Sequence, residues 1–265
     1  MLFNLRFDKD IRFIEVECMK LLLGILFYMW KIYIGLVFLT TLLLFYPLLF
    51  FFLYFEKLKP YSFKINVLWS RCMRIFCFYA VEKNSFKPTP NTSYIIVANH
   101  TSYLDIFLLY SILPKTKFIF MGKRELLDYP LVKTFFKRLN IPVDRSSSRQ
   151  SAKAFIKAKN EIKNGWSVVI FPEGGIIDPT SELHPFKNGA FQLAKAAQQP
   201  LLPITFINNY YLFSDPECFF YPAMPGLAKV VIHPAIEAKE VANSEIHALN
   251  EKAYAQINSV LKEID

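Results

Sequence analysis

The stretch from Ile32 to Phe55 carries no charged side chain. It is longer than the roughly 20 residues needed to cross the hydrocarbon core of a bilayer. Lys31 is the only charge between Leu21 and Glu56, so the apolar segment in effect begins near Leu21. A helix that is apolar on every side needs lipid or a large protein to cover it, and this chain has 265 residues. Two geometries fit. The run spans the bilayer, or Pro47 kinks it so that Leu21–Trp30 and the later half form a hairpin in one leaflet. A cleavable signal peptide does not fit, because the run is too long and begins too late. Residues 1–20 mix Arg6, Lys9, Arg12 and Lys20 with Asp8, Asp10, Glu15 and Glu17 among Phe and Ile, which reads as an interfacial segment. Lys57, Lys59, Lys64, Arg71 and Arg74 follow the apolar run closely. That excess puts the downstream domain on the cytoplasmic side, of the inner membrane if the source is bacterial. The chain therefore divides into a membrane anchor over residues 1–60 and a catalytic-sized domain over residues 61–265.

The formal net charge of +9 calls for an acidic partner. Anionic lipid and an acidic carrier protein satisfy it. Nucleic acid is not expected, since no DNA- or RNA-reading motif is visible and the first third is too apolar for such a domain. Cys18, Cys72, Cys77 and Cys218 form no C-x-x-C pair, which argues for a reduced, cytosol-facing domain rather than a disulfide framework.

Beyond an amphipathic connecting helix over residues 62–80 and an Asn/Pro/Thr cluster at 84–93, apolar runs alternate with helical patterns. Strands are expected at 94–98, 117–121, 167–171, 201–207 and 228–232. Helices are expected at 103–112, 130–138, 150–163, 189–197 and from about 243. That alternation predicts an α/β fold, a mostly parallel sheet covered by helices.

Chemistry is concentrated at the strand ends. In Asn99-His100-Thr101-Ser102-Tyr103-Leu104-Asp105, His100 closes an apolar strand, where open α/β sheets place ligands. Inside one helix, five positions would set His100 and Asp105 about 140° apart. They meet only if His100 lies in the loop and Asp105 in the first turn of the helix. Asp105 then holds one ring nitrogen and leaves the other free to take a proton from a hydroxyl, as in a serine hydrolase without its serine. The same residues also fit a capping box, with Ser102 as N-cap and Asp105 reaching back. Phe171-Pro172-Glu173-Gly174 ends another strand with an acid and a turn that lets backbone approach a ligand. Glu173 could equally be an ordinary strand-end acid. Pro142-Val143-Asp144-Arg145 ends a third with a planar cation suited to phosphate, or to a surface ion pair.

Taken together these segments resemble the lysophosphatidate acyltransferases. Asn-His-x-x-x-x-Asp stands at 99–105, and Lys-x-Glu-Leu at Lys123-Arg124-Glu125-Leu126. Ile-x-x-x-Arg matches Ile141–Arg145, and Phe-Pro-Glu-Gly matches Phe171–Gly174. Phe-Lys-x-Gly-Ala is Phe186-Lys187-Asn188-Gly189-Ala190, and Pro203 lies in the last block. The blocks run in the family's order over residues 62–210. The resemblance implies His100 as general base and Asp105 as its partner. It implies Glu173, Gly174 and Arg145 at the acceptor, with Arg145 the main phosphate contact; Lys123 and Lys187 are second choices by their charge alone. It also implies acyl-CoA or acyl-carrier protein as co-substrate, a lysophospholipid acceptor, a lipid bilayer, and neither metal nor cofactor. Relatives continue Phe-Pro-Glu-Gly with Thr-Arg, whereas Gly175 and Ile176 stand here. The acceptor is thus 1-acylglycerol-3-phosphate, or a lysolipid with another head group such as an amino-acid lipid. A non-catalytic membrane adaptor of the same fold is the remaining alternative, disfavoured by the presence of His100, Asp105 and Glu173 together.

Overall fold

The structure, a computed structural model, describes residues 2–84, 86–128, 130–144, 146–176 and 183–262, without the side chains of residues 2–15, 126 and 130–132. It begins with one helix, α1 (Leu2–Tyr54), which runs through Pro47 without a break. Of the two geometries the sequence left open, the hairpin at Pro47 does not form. The chain reverses instead at residues 55–58 and returns as α2 (Lys59–Phe76), packed along α1. Pro60 suits the start of α2, where its missing N–H has no helical partner to lose.

One stripe of α1 is covered by protein. Ile34, Leu42, Phe45, Leu49 and Leu53 are buried at helical spacing, together with Thr41, whose Oγ accepts from the Trp69 indole of α2 at 2.9 Å. The rest of the apolar surface is open, including Leu36, Leu43, Leu44, Leu48 and Phe51. Lys31, the isolated charge in the run, is 5% exposed and donates to the Asp215 and Cys218 carbonyls at 2.9 and 2.5 Å. Those carbonyls lie in a loop whose Phe219 and Phe220 rings pack against Gly24. A β-carbon at Gly24 would come within 2.6 Å of Phe219.

After α2, Phe78 takes a left-handed conformation (φ 53°) and turns the chain into β1 (Tyr79–Lys83). The amphipathic helix expected to reach residue 80 therefore stops at Phe76. Then follow β2 (Ile95–Ala98), α3 (Leu104–Ile112), β3 (Phe118–Lys123), a 3-10 turn, α4 (Pro130–Leu139), β4 (Ile141–Val143), α5 (Ser148–Lys163) and β5 (Ser167–Ile170). The chain closes with α6 (Gly189–Ala197), β6 (Leu201–Phe206), α7 (Asn209–Leu212), β7 (Gly226–Ile232), α8 (Ala238–Asn243) and α9 (Ile246–Leu261).

The strands form one sheet in the order β1-β7-β6-β2-β5-β3-β4. Among the described residues every neighbouring pair is parallel except β6–β7. Strands β2, β5 and β6 are almost wholly apolar, with Ser167 and Thr205 buried among them, because parallel strands with helices on the sheet have no wet face. Phe118 and Phe120 of β3 meet Tyr110 of α3, and Phe118 also meets Phe63 of α2. Helices α5, α6 and α9 pack on the sheet through β5, β2 and β6. The five parallel strands β6, β2, β5, β3 and β4 thus bring their carboxyl ends to one edge. His100, the Phe171–Gly174 turn and Asn208-Asn209 follow closely on those ends, and Lys123 is the last residue of β3.

Candidate active site

His100 follows β2 in an irregular segment, and Asp105 lies in the first turn of α3. The His100 Nδ1–Asp105 Oδ2 distance is 2.9 Å. A carboxylate only accepts, so Nδ1 carries the hydrogen and Nε2 is left as the basic nitrogen. The same Asp105 oxygen accepts from the Thr101 and Ser102 backbone N–H groups at 3.0 and 3.1 Å. The Ser102 hydroxyl accepts from the Leu104 N–H at 3.0 Å and donates to the Phe213 carbonyl at 2.5 Å. The capping arrangement and the His–Asp pair are therefore one structure. Asp105 terminates the helix and holds the imidazole at the same time. Because its hydroxyl hydrogen is committed to Phe213, Ser102 is not free to serve as a nucleophile.

The imidazole lies flat on the Phe171 ring, with centroids 3.9 Å apart and planes 14° apart. Phe120 continues the stack behind Phe171 at 6.2 Å. Stacking on one side and Asp105 on one edge leave the ring a single orientation. Asn99, fully covered, pairs with β6 by donating to the Phe206 carbonyl and accepting from the Phe206 N–H, both at 2.8 Å. That double bond fixes the start of the loop that carries His100.

Glu173 is 2% exposed, and both its oxygens are used on backbone. Oε1 accepts from the His100 N–H at 2.7 Å and Oε2 from the His184 N–H at 3.0 Å. Burial raises its carboxyl above the usual carboxylate range, with the two N–H donors and the nearby histidines pulling the other way. Gly174 and Gly175 both have positive φ, 99° and 150°, which side chains rarely adopt. A β-carbon at Gly175 would come within 2.9 Å of Lys123 Nζ, so the end of the Lys123 side chain lies over this turn. Lys187 donates its backbone N–H to the Pro172 carbonyl at 2.9 Å, which ties its segment to the turn, and its side chain is exposed. Arg145, the remaining expected phosphate ligand, lies outside the described residues. Arg124 and Asp144, in the same region, form an ion pair at 2.9 Å.

Sequence reasoning missed Asn209, Phe171 as a ring partner, and the backbone role of Glu173. The pair Asn208-Asn209 directly after an apolar strand was the available signal, since it falls at the same sheet edge as His100.

The family model described as Acyltransferase matches residues 80–207. The 1-acyl-sn-glycerol-3-phosphate acyltransferase of Pseudomonas aeruginosa is 30% identical over 193 residues, which cover 72% of this chain and 72% of that protein. The chain belongs to the 1-acylglycerol-3-phosphate acyltransferase family. This family member is also 27% identical to a Chlamydomonas reinhardtii protein of the same description, over 83% of its own length and 65% of the relative's. Its fold matches the crystal structure of the 1-acyl-sn-glycerophosphate acyltransferase PlsC of Thermotoga maritima with a TM-score of 0.73. That match covers 92% of this chain and 97% of the other at 21% identity. Gly175 and Ile176 follow Gly174 in this family member, and the Lys123 ammonium lies beside Gly175.

Proposed function

We propose that this protein transfers a fatty acyl group from an acyl thioester, acyl-CoA or acyl-carrier protein, to the free hydroxyl of 1-acylglycerol-3-phosphate, giving phosphatidate. The observation that carries the reading is the buried Asp105 carboxylate bound to His100 Nδ1 at a strand end, with Nε2 left basic. His100 Nε2 takes the proton of the acceptor hydroxyl as its oxygen attacks the thioester carbonyl. The tetrahedral intermediate collapses with loss of the thiolate, and the imidazolium returns the proton to it. No serine or cysteine of the protein is acylated, and the reaction needs neither metal nor cofactor.

Lys123 is the favoured phosphate ligand among the described residues, because its ammonium lies over the Gly174-Gly175 turn next to Ile176. Ammonium binds phosphate as a point charge with little directional demand. Arg145 and Lys187 are further candidates, with Gly174 supplying close backbone contact. Ile176 keeps a second acceptor class in view, a lysolipid without a phosphomonoester. Purified protein assayed over a panel of lysolipids separates them. With 1-acylglycerol-3-phosphate as acceptor, turnover should be highest, and Lys123→Ala should raise the acceptor KM about 10-fold or more while changing the donor KM little. Better turnover of a phosphate-free lysolipid, indifferent to Lys123→Ala, would overturn the phosphate reading.

The protein acts at a lipid bilayer, with residues 1–60 as the anchor and residues 61–265 facing the cytoplasm. The open apolar sides of α1 support this, since nothing among the described residues covers them. The α/β domain packs along one stripe of α1 from Gly24 to Leu53, about 45 Å of helix. That is longer than the roughly 30 Å hydrocarbon core. A perpendicular crossing would drag the domain into lipid, so the favoured geometry is a helix lying within one leaflet. The protein should stay in the membrane fraction through high-salt and alkaline washing. Release of most of it by salt alone would mean that exposed basic residues, whose reach is about 8–10 Å in salt, hold it instead.

A further inference from the structure

We propose that Asn209 is a positioning residue of the His100–Asp105 pair, holding the second carboxylate oxygen of Asp105 so that the charge faces the imidazole. The inference rests on the reading of His100 as the general base. Asn209 opens α7, directly beyond β6, and its side-chain amide donates to Asp105 Oδ1 at 2.5 Å across 104 residues of sequence. Neither side chain has any exposed surface. Without this donor, Oδ1 would be a buried carboxylate oxygen with no partner among the described residues, because the imidazole and both backbone N–H groups bind Oδ2.

The amide orientation follows from its neighbour. The other orientation would put Asn209 Oδ1 against a carboxylate oxygen. As it stands, Asn209 Oδ1 is buried with no partner among the described residues. A buried acceptor left unmet is unusual, and the fold accepts it in order to aim a donor at Asp105. The surroundings hold that donor still. Asn208 accepts from the Lys229 N–H at 2.8 Å and donates to the Leu227 carbonyl at 2.9 Å, tying the start of α7 to β7. Ser102 ties the end of α7 to the catalytic loop through the Phe213 carbonyl. Among the described residues, the other charged or titratable groups facing the pair are Glu173 on the His100 N–H, His184 beyond it, and Lys123 over the adjacent turn. None of them reaches Asp105 Oδ1.

The test uses the full chain in detergent with palmitoyl-CoA and 1-oleoylglycerol-3-phosphate, over a range of pH. Asn209→Leu fills similar space without a donor. It should lower kcat about 10- to 100-fold with both KM values changed by about twofold or less. Its acidic limb should move to higher pH, because a carboxylate that has lost a donor is more basic and holds the imidazolium more tightly. Asn209→Asp should restore activity on the acidic side only. A buried carboxyl beside Asp105 keeps its proton and can donate; once it ionises, two like charges oppose each other. The resulting new alkaline limb is a signature that mere filling of space does not produce. Should Asn209→Leu fail to fold, Asn209→Asp decides alone: an alkaline limb supports the proposal, and a loss independent of pH overturns it. Wild-type kcat and an unmoved pH profile in Asn209→Leu also overturn it. His100→Ala, run alongside, separates the two readings. If it is inactive while the Asn209 variants behave as wild type, only the role of Asn209 falls; if it keeps turnover, both readings fall.

Discussion

His100→Ala should lower kcat by at least the ~10²–10⁴-fold typical of losing a positioned general base, with a thermal transition close to that of the wild type. The ring is partly exposed and its packing partner is the Phe171 face, so the substitution empties a site at the surface of the cleft rather than in the core. Asp105→Asn should be as damaging, and through a different route. The carboxylate accepts four donors, three on Oδ2 and one on Oδ1. An amide offers one accepting end. If its oxygen takes the place of Oδ2, its NH2 faces the Asn209 NH2 at 2.5 Å; turned over, it faces two backbone N–H groups and the imidazole. The first arrangement is relieved only if the Asn209 amide turns over, which buries its own NH2 where no partner stands among the described residues; the second forces His100 into the tautomer in which Nε2 carries the hydrogen and cannot act as a base. Asp105→Asn should therefore lose stability as well as turnover, whereas His100→Ala should lose turnover alone. Near-normal turnover of His100→Ala would leave the segment as a helix cap and nothing more.

Glu173 carries the second large effect. The family resemblance assigns it to the acceptor, yet its two oxygens bind the His100 and His184 backbone N–H groups and it is almost fully covered. Glu173→Ala should leave two buried donors unmet, at about 1–3 kcal/mol each, and should lower kcat more than it raises the acceptor KM. Glu173→Gln should be intermediate, because one end of the amide still accepts. A head-group ligand would give the reverse, a raised acceptor KM with stability unchanged. The pH dependence has a definite sign. A carboxyl raised by burial contributes stability that is fully present below its unfolded value, about 4.3. That contribution is lost as pH rises through the folded value. In denaturant titrations from about pH 4 upward, the stability advantage of the wild type over Glu173→Gln should be largest at the acid end and shrink as pH rises. An advantage that grows with pH would mean that the ionised carboxylate is the favoured form.

Much of this was legible because it is local. A run without charges from Ile32 to Phe55 cannot be other than a helix seeking an apolar cover, since its backbone groups must be satisfied within the segment. The strands at Ile95–Ala98, Ser167–Ile170 and Leu201–Phe206 are almost wholly apolar because both faces are covered, with only Ser167 and Thr205 polar, and they are short enough to exclude helices. The spacing of His100 and Asp105 demanded a loop-to-helix junction on geometric grounds, and that junction is present. The edge strand Tyr79–Lys83 was not legible. Among the described residues it pairs only with Gly226–Ile232, nearly 150 residues later, and its register depends on the left-handed turn at Phe78.

By itself, then, the sequence determined most of the elements, their order, the family and the pairing of His100 with Asp105. Each of those depends on side-chain chemistry within a few residues or on motifs in a fixed order. The tertiary structure alone decided what surrounds the pair and what holds the anchor. Asn209 reaches Asp105 across 104 residues, Glu173 reaches His100 across 73, and Lys31 caps carbonyls 184 and 187 residues away. No local pattern encodes such partners. A buried carboxylate, amide or ammonium is compatible with any donor or acceptor of the right kind, and only the sheet order, which sets β2 between β6 and β5, selects among them.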